Sequence, residues 1–190
     1  MCASGQGPGV LCLVVGPSGA GKDTLLDGAR ARLGAAYLFP KRVITRGADA
    51  GGEDHEAISE TCFETLEAEG ALALSWRAHD LGYGVRTSAV DELLAGRHLV
   101  VNVSRSVLDE ARARFPRVHV FSVTVPESQL RQRLRARGRE SHEDIEARIA
   151  RAAAFEVSGD DVTEIRNDAE PDTAVARFVE ALQRVTADEG

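Results

Sequence analysis

The residues best suited to chemistry form one run, Gly16-Pro17-Ser18-Gly19-Ala20-Gly21-Lys22-Asp23-Thr24. Four residues separate Gly16 from the pair Gly21-Lys22, the spacing of a phosphate-binding loop. Such a loop works because glycines let the backbone curl until successive amides, here those of Ser18 to Lys22, point at one anion. The positive end of the following helix then adds its field. Lys22 is placed to reach between the β- and γ-phosphates of a nucleotide and follow the charge that moves in transfer. After Lys22 the pattern calls for Ser or Thr, yet the chain has Asp23. A bare carboxylate beside a triphosphate is repelled, but Mg²⁺ between them reverses the sign, since hard cations prefer oxygen ligands. Asp23 and Thr24 are therefore the candidate metal ligands of a magnesium–ATP complex. The alternative is that Asp23 caps the helix while Thr24 holds the metal.

A second set is basic. Only Lys22 and Lys41 among the 23 basic residues are lysine, and seven arginines fall between residues 130 and 151. Arg133 and Arg137 lie one turn apart on one helical face. Gly138 breaks that helix, and a capping box of Ser141 with Asp144 starts another that brings Arg148 back. Two helices joined by a short polar link make a lid, about residues 133–150. Its arginines would stabilise charge on transferring phosphates and exclude water. The plainer reading of this segment is a solvated arginine-rich hairpin.

These groups need a scaffold, and the chain patterns supply one. Apolar runs alternate with helix-period segments, the βαβ signature of a parallel sheet covered on both faces. Residues 9–16 form the first buried strand, and a helix runs from Lys22 to about Leu33. Further strands are expected at 71–76, 98–104 and 118–125, within 36–45, and weakly near 162–167. Thr61 with Glu64 reads as a capping box opening a helix that ends at Gly70. Residues 81–84, Leu-Gly-Tyr-Gly, read as a turn. Helices are expected at 88–96 and 107–115, from Pro126 at its first position, from Ser141, and as an amphipathic segment over 172–185. Trp76 is expected in the core at the pocket wall, and His98 in a structural role. Polar excursions lie near 45–60 and 137–145.

Bulk properties agree with one α/β domain over 1–190, long enough to bury roughly 70% of its unfolded surface. Hydrophobic content of 43% with 28% charged residues is that of a soluble globular chain. A net charge of −7 argues against nucleic acid and membrane surfaces as partners. Three cysteines without metal-ligand spacing read as reduced thiols of a cytoplasmic protein. The first residues have neither a basic nor an apolar segment, so no signal peptide is expected. The sequence does not fix an oligomeric state.

The run GPSGAGKDTLL, the segment RLRARGRE…IEARI and the NDAE after the last strand resemble the guanylate kinase family of P-loop kinases, from Val10 to about Leu182. The resemblance implies a five-stranded parallel sheet with helices on both faces, an ATP site at the strand C-termini, and an adenine near Asn167. It also implies a lid and an acceptor-binding excursion at about 45–85. That family holds the acceptor phosphate with two arginines and two tyrosines and reads guanine with a glutamate. Here Arg46 keeps the first arginine, Asp49 stands where the second would be, and His55 replaces one tyrosine. Tyr83 survives, and Ser75 is read as taking the place of the glutamate.

Losing a buried recognition group removes discrimination for its partner. The phosphate-holding parts thus survive without the base-reading ones. In this respect, and in GPSGAGKD, RVITR, GGEDHE and VNVSR, the chain resembles the ribose 1,5-bisphosphate phosphokinases of phosphonate metabolism. That likeness implies transfer of the ATP γ-phosphoryl to the 1-phosphate of the sugar, giving 5-phosphoribosyl 1-diphosphate. Pattern and spacing alone reach only a kinase acting on a phosphorylated small molecule. Candidate acceptor contacts are Arg42, Arg46, His55, His79, Tyr83, Ser104 and Arg105, the last two following a strand at the edge where such sheets bind ligands. A phosphate acceptor is already ionised and needs no general base. Competing readings are a nucleoside monophosphate kinase, a catalytically silent binding module, and a gluconate-type kinase with Asp54 as base.

Overall fold

The protein is described by a computed structural model covering residues 7–47, 53–137, 141–153 and 156–187. Asp49 and the side chain of Arg137 lie outside the described residues.

Strand β1 (Leu11–Val15) is buried along its whole length because sheet faces on both sides are covered. Its side chains alternate: Cys12 and Val14 join one core cluster, Leu11, Leu13 and Val15 the other. Helix α1 (Lys22–Arg32) follows the loop, and β2 (Tyr37–Leu38) forms one edge of the main sheet. The chain then leaves this sheet. Strands β3 (Val43–Ile44), β4 (Glu56–Ala57), β5 (Leu72–Ala78) and β6 (Leu81–Arg86) build a second sheet, with α2 (Glu60–Ala68) packed on it. It returns through α3 (Thr87–Leu94) to β7 (His98–Asn102), then α4 (Leu108–Arg114) and β8 (Val118–Thr124). Helices α5 (Glu127–Arg137) and α6 (His142–Ala153), which span the segment expected as a lid, come next, then β9 (Val162–Arg166) and α7 (Pro171–Ala187).

The main sheet has the order β2-β7-β1-β8-β9 with every pairing parallel, as the resemblance implies. Helices α1 and α7 cover one face. Gly28 allows their close approach, because a Cβ there would sit 2.5 Å from Val175 Cγ2. Fully buried side chains such as Leu13, Phe121 and Phe178 each contribute about 1.5–3 kcal/mol. Helices α5 and α6 share a small core of their own, Leu130, Leu134, Ile145 and Ile149.

The second sheet, ordered β4-β3-β6-β5, is where sequence expectation and structure part. Leu81 to Gly84 are strand and not turn. The reversal is at His79 and Asp80, both with positive φ (53° and 59°), the geometry of a tight two-residue hairpin. His and Asp tolerate that region better than most residues, so the turn lacks the glycine that marks such turns in a sequence. Helix α2 is capped by Ser59, whose Oγ accepts the Cys62 amide at 3.2 Å, and not by Thr61. Ser141 and Asp144 do form the expected reciprocal box: the Asp144 amide donates to Ser141 Oγ at 3.1 Å. Pro126 stands one residue before α5, its carbonyl accepting the Leu130 amide. No helix among the described residues is long and apolar enough to cross a membrane.

Candidate active site

Parallel order brings the C-terminal ends of β1, β7, β8 and β9 to one edge, where ligands lie in such sheets. The loop after β1 is shaped by Gly16, Gly19 and Gly21, with φ of 155°, 94° and 86°. A Cβ on Gly16 would come 2.6 Å from Val123 O, and one on Gly21 would come 2.5 Å from Asn167 Nδ2. The loop is thus wedged against β8 and the residue after β9. Lys22 Nζ donates to the carbonyls of Gly16 (2.7 Å) and Pro17 (3.1 Å), which holds the ammonium over the loop.

Asp23 sits in the first turn of α1, and its Oδ1 accepts from Asn102 Nδ2 at 2.9 Å. Asn102 ends β7 and is buried. Sequence reasoning did not single it out. A polar residue closing an otherwise apolar strand was the available signal. Asp23 and Thr24 are both exposed toward the cavity.

The arginines expected on a lid divide. Arg148 Nη1 donates to Ser18 Oγ at 2.8 Å, bringing α6 onto the phosphate loop. Arg133 was expected on transferring phosphates but donates to the carbonyls of Ala20 (3.4 Å) and Asn167 (2.9 Å). It does not line the cavity. The reason is packing. Leu130 and Leu134 of the same helix rest under Gly19, which turns Arg133 to the back of the loop. Asn167, expected near adenine, is buried with its amide donating to Ala20 O at 2.6 Å. It positions the loop.

The second sheet supplies the facing wall. Trp76 and Tyr83 are cross-strand partners whose rings stack at 5.5 Å and 5°. The Arg42 guanidinium lies over both, 5.6 Å from the indole and 5.2 Å from the phenol. Glu53 accepts from Arg42 Nε at 3.0 Å and also from its Nη2. Ser75, read as the place of a base-reading group, is on the opposite face of β5. It donates to Glu67 Oε1 of α2 at 2.7 Å, because strand side chains alternate and the face carrying Trp76 and Ala78 is the one toward the cavity.

Arg46 and His55 are neighbours outside the cavity lining. The His55 ring nitrogens face the carbonyls of Glu53 (2.9 Å) and Arg46 (3.2 Å), and Arg46 Nη2 is 3.5 Å away. Arg46 Nε is buried without a hydrogen bond. Asp54 is ion-paired with Lys41 at 2.8 Å and lines a smaller hollow of about 290 Å³ next to the main cavity, which leaves the gluconate-type base unsupported.

The main cavity, about 520 Å³, joins the two walls. The phosphate loop with Lys22, Asp23 and Thr24 meets Arg42, His79, Tyr83, Ser104 and Arg105 across it. Its charged lining is Lys22, Arg42, Arg105 and Arg148 against Asp23 and Glu53. In a chain of net charge −7, this concentrates positive potential where anions would bind. The donor set also suits magnesium, which takes one or two protein oxygens and completes its shell with phosphates and water. No group of three or more His, Cys, Asp or Glu side chains placed to hold a metal occurs among the described residues.

Fold and loop together define a P-loop nucleotide-binding protein with guanylate kinase-like architecture. A family model described as an AAA domain matches residues 12–153. The solved guanylate kinase of Anaplasma phagocytophilum superposes with a TM-score of 0.67 at 18% identity, over 95% of this chain and 88% of that one, a likeness of fold. The ribose 1,5-bisphosphate phosphokinase PhnN of Acidiphilium cryptum is 50% identical over 178 residues, 93% of this chain and 93% of that protein. The bifunctional ribose 1,5-bisphosphokinase-thymidine phosphorylase of Azorhizobium caulinodans is 44% identical over 184 residues, 96% of this chain. The chain spans only 27–30% of the length of such bifunctional relatives. Within the P-loop group, this chain belongs to the ribose 1,5-bisphosphate phosphokinase family.

Proposed function

We propose that this chain transfers the γ-phosphoryl group of ATP to the 1-phosphate of ribose 1,5-bisphosphate, releasing ADP and 5-phosphoribosyl 1-diphosphate. The observation that carries this reading is that one cavity joins the phosphate loop to a facing wall of Arg42, Tyr83, His79 and Arg105. Two anionic ligands then meet end to end. The family's substrate agrees with it.

An oxygen of the 1-phosphate attacks Pγ, a new P–O–P link forms, and the bond from Pγ to the β,γ-bridging oxygen breaks with its electron pair leaving on ADP. Near neutral pH that phosphate is largely ionised, its second pKa being about 6, so no residue need remove a proton. The chain's work is positioning and charge stabilisation. Amides of 18–22 and Lys22 hold the β- and γ-phosphates, and Arg148 on α6 adds a guanidinium at the loop. Arg42, Tyr83, His79, Ser104 and Arg105 hold the acceptor's phosphates. Asp23 and Thr24 would hold Mg²⁺, which when bound supplies positive charge to the nucleotide phosphates. Arg133 and Asn167 shape the loop from behind. Partners are small molecules, and the setting is cytoplasmic.

The test is ADP release from Mg·ATP with ribose 1,5-bisphosphate and, in parallel, each nucleoside monophosphate, with phosphorus NMR of the product. A sugar-dependent rate and a new diphosphate signal are expected. Faster turnover with a nucleotide would overturn the substrate and leave the fold standing.

A further inference from the structure

The geometry points to Trp76 as the residue that makes the acceptor pocket one for a sugar phosphate and closes it to a nucleobase. This rests on the reading of the acceptor just given, and the observation behind it is independent of that reading. Trp76 is 7% exposed, lines the cavity from β5, and is stacked in parallel on Tyr83 at 5.5 Å. An indole is a fused bicycle with nearly the outline of a purine, and a parallel aromatic partner is how proteins hold bases. The chain has filled the base-shaped slot beside its phosphate-binding groups with its own side chain.

Three features fix the indole there. Trp76 and Tyr83 are directly paired across β5 and β6, which puts their side chains on one face. Arg42 covers both rings and is itself held by Glu53, so the stack is closed above by a guanidinium that a base would have to displace. Behind β5, α2 covers the other face, where Arg77 lies 4.5 Å over Phe63 and Ser75 is bonded to Glu67. With Arg42 above and α2 behind the strand, the ring's one open side is the cavity itself. An acceptor that reaches Arg42 therefore meets an aromatic wall and a cation, which suits a compact anionic sugar and excludes a purine by volume.

The test uses the whole chain with Mg·ATP and compares wild type, Trp76→Ala and Trp76→Phe. Ribose 1,5-bisphosphate, GMP and AMP serve as acceptors, with kcat and KM measured separately. Trp76→Ala should raise kcat/KM for a purine monophosphate by about 10-fold or more, the scale of a change in pocket volume. It should weaken the sugar mainly through KM. Trp76→Phe should restore most of the sugar KM and reject purines again.

Because this is the chain's one tryptophan, wild type gives a second readout. Saturating ribose 1,5-bisphosphate should shift or quench its emission, while GMP should not. An alanine variant that loses all acceptors alike while still binding ATP would overturn the inference, as would emission indifferent to a turning-over sugar. If wild type itself ignores the sugar, the proposed function has failed instead, and the emission response to GMP then decides whether the slot is closed.

Discussion

Asn102 Nδ2 donates to Asp23 Oδ1 at 2.9 Å, tying the end of β7 to the first turn of α1. The bond orients a carboxylate that replaces the hydroxyl usual at this place in a phosphate loop. One Asp23 oxygen is engaged by the amide, and the other is left for the cavity. On the proposed reading Asn102 is a positioning residue for the metal-binding carboxylate. Asn102→Ala should weaken the apparent Mg²⁺ affinity in ATP turnover by about 10–100-fold, the usual loss when a ligand's supporting bond goes. Much of kcat should return at high Mg²⁺. A kcat deficit that magnesium does not relieve would place Asn102 in a purely structural role.

Gly16 and Gly34 make a matched pair. Gly16 has φ 155°, and a Cβ there would meet the backbone oxygen of Val123 at 2.6 Å. At Gly34 nothing lies within 4 Å. Gly16→Ala should cost about 1–3 kcal/mol in urea unfolding and depress ATP binding, since a backbone neighbour cannot step aside. Gly34→Ala should be near neutral in both. Equal effects at the two sites would contradict the wedge between the loop and β8.

The main sheet was legible because burial on both faces writes a continuous apolar run, as in residues 11–15, and because the loop's glycines have one geometric purpose. The second sheet was legible only in part: the strand expected at 71–76 is β5, but β3 and β4 are two residues long and leave no period to read. Its hairpin turns on His79 and Asp80, residues that carry positive φ without advertising it. Within the site, Lys22, Asp23 and Arg148 meet the cavity as their types and spacing imply, and Arg42 and Tyr83 meet it as candidates drawn from the family resemblance. Arg133 and Asn167 do not, because helix periodicity gives a residue's face but not which carbonyls wait behind the loop. Trp76, expected in the core at the pocket wall, is both buried and part of the cavity lining.

Arg42 holds three partners at once: Glu53 and the rings of Trp76 and Tyr83. A lysine keeps the charge but loses the planar fork and the stacking. Arg42→Lys should lower kcat/KM for the sugar bisphosphate roughly 10–100-fold, the equivalent of one or two charged hydrogen bonds. The KM for ATP should hardly move, because the phosphate loop is a separate wall. Parallel loss toward both substrates would mean that Arg42 supports the cavity as a whole.

His98 predicts the acid side of the stability curve. Its Nδ1 accepts the Val10 amide at 3.1 Å, and its ring lies 5.1 Å from Tyr37. To accept, Nδ1 must be unprotonated. Burial, with the Arg117 charge second, pushes its pKa below the usual histidine range. The unfolded chain then binds more protons than the folded one once pH drops below about 6.5, so stability rises with pH across that window and is lost as acid is added. The carboxylates of Asp161 and Glu56 are held low by Arg112 and Arg86, and their contribution goes only at lower pH. Asparagine sets an acceptor near the place of Nδ1 and does not titrate. Urea unfolding at pH 7.5 and 5.5 should therefore show a smaller acid loss for His98→Asn than for wild type. Parallel losses would assign the acid sensitivity to other groups and leave His98 as a neutral strut between β7 and Val10.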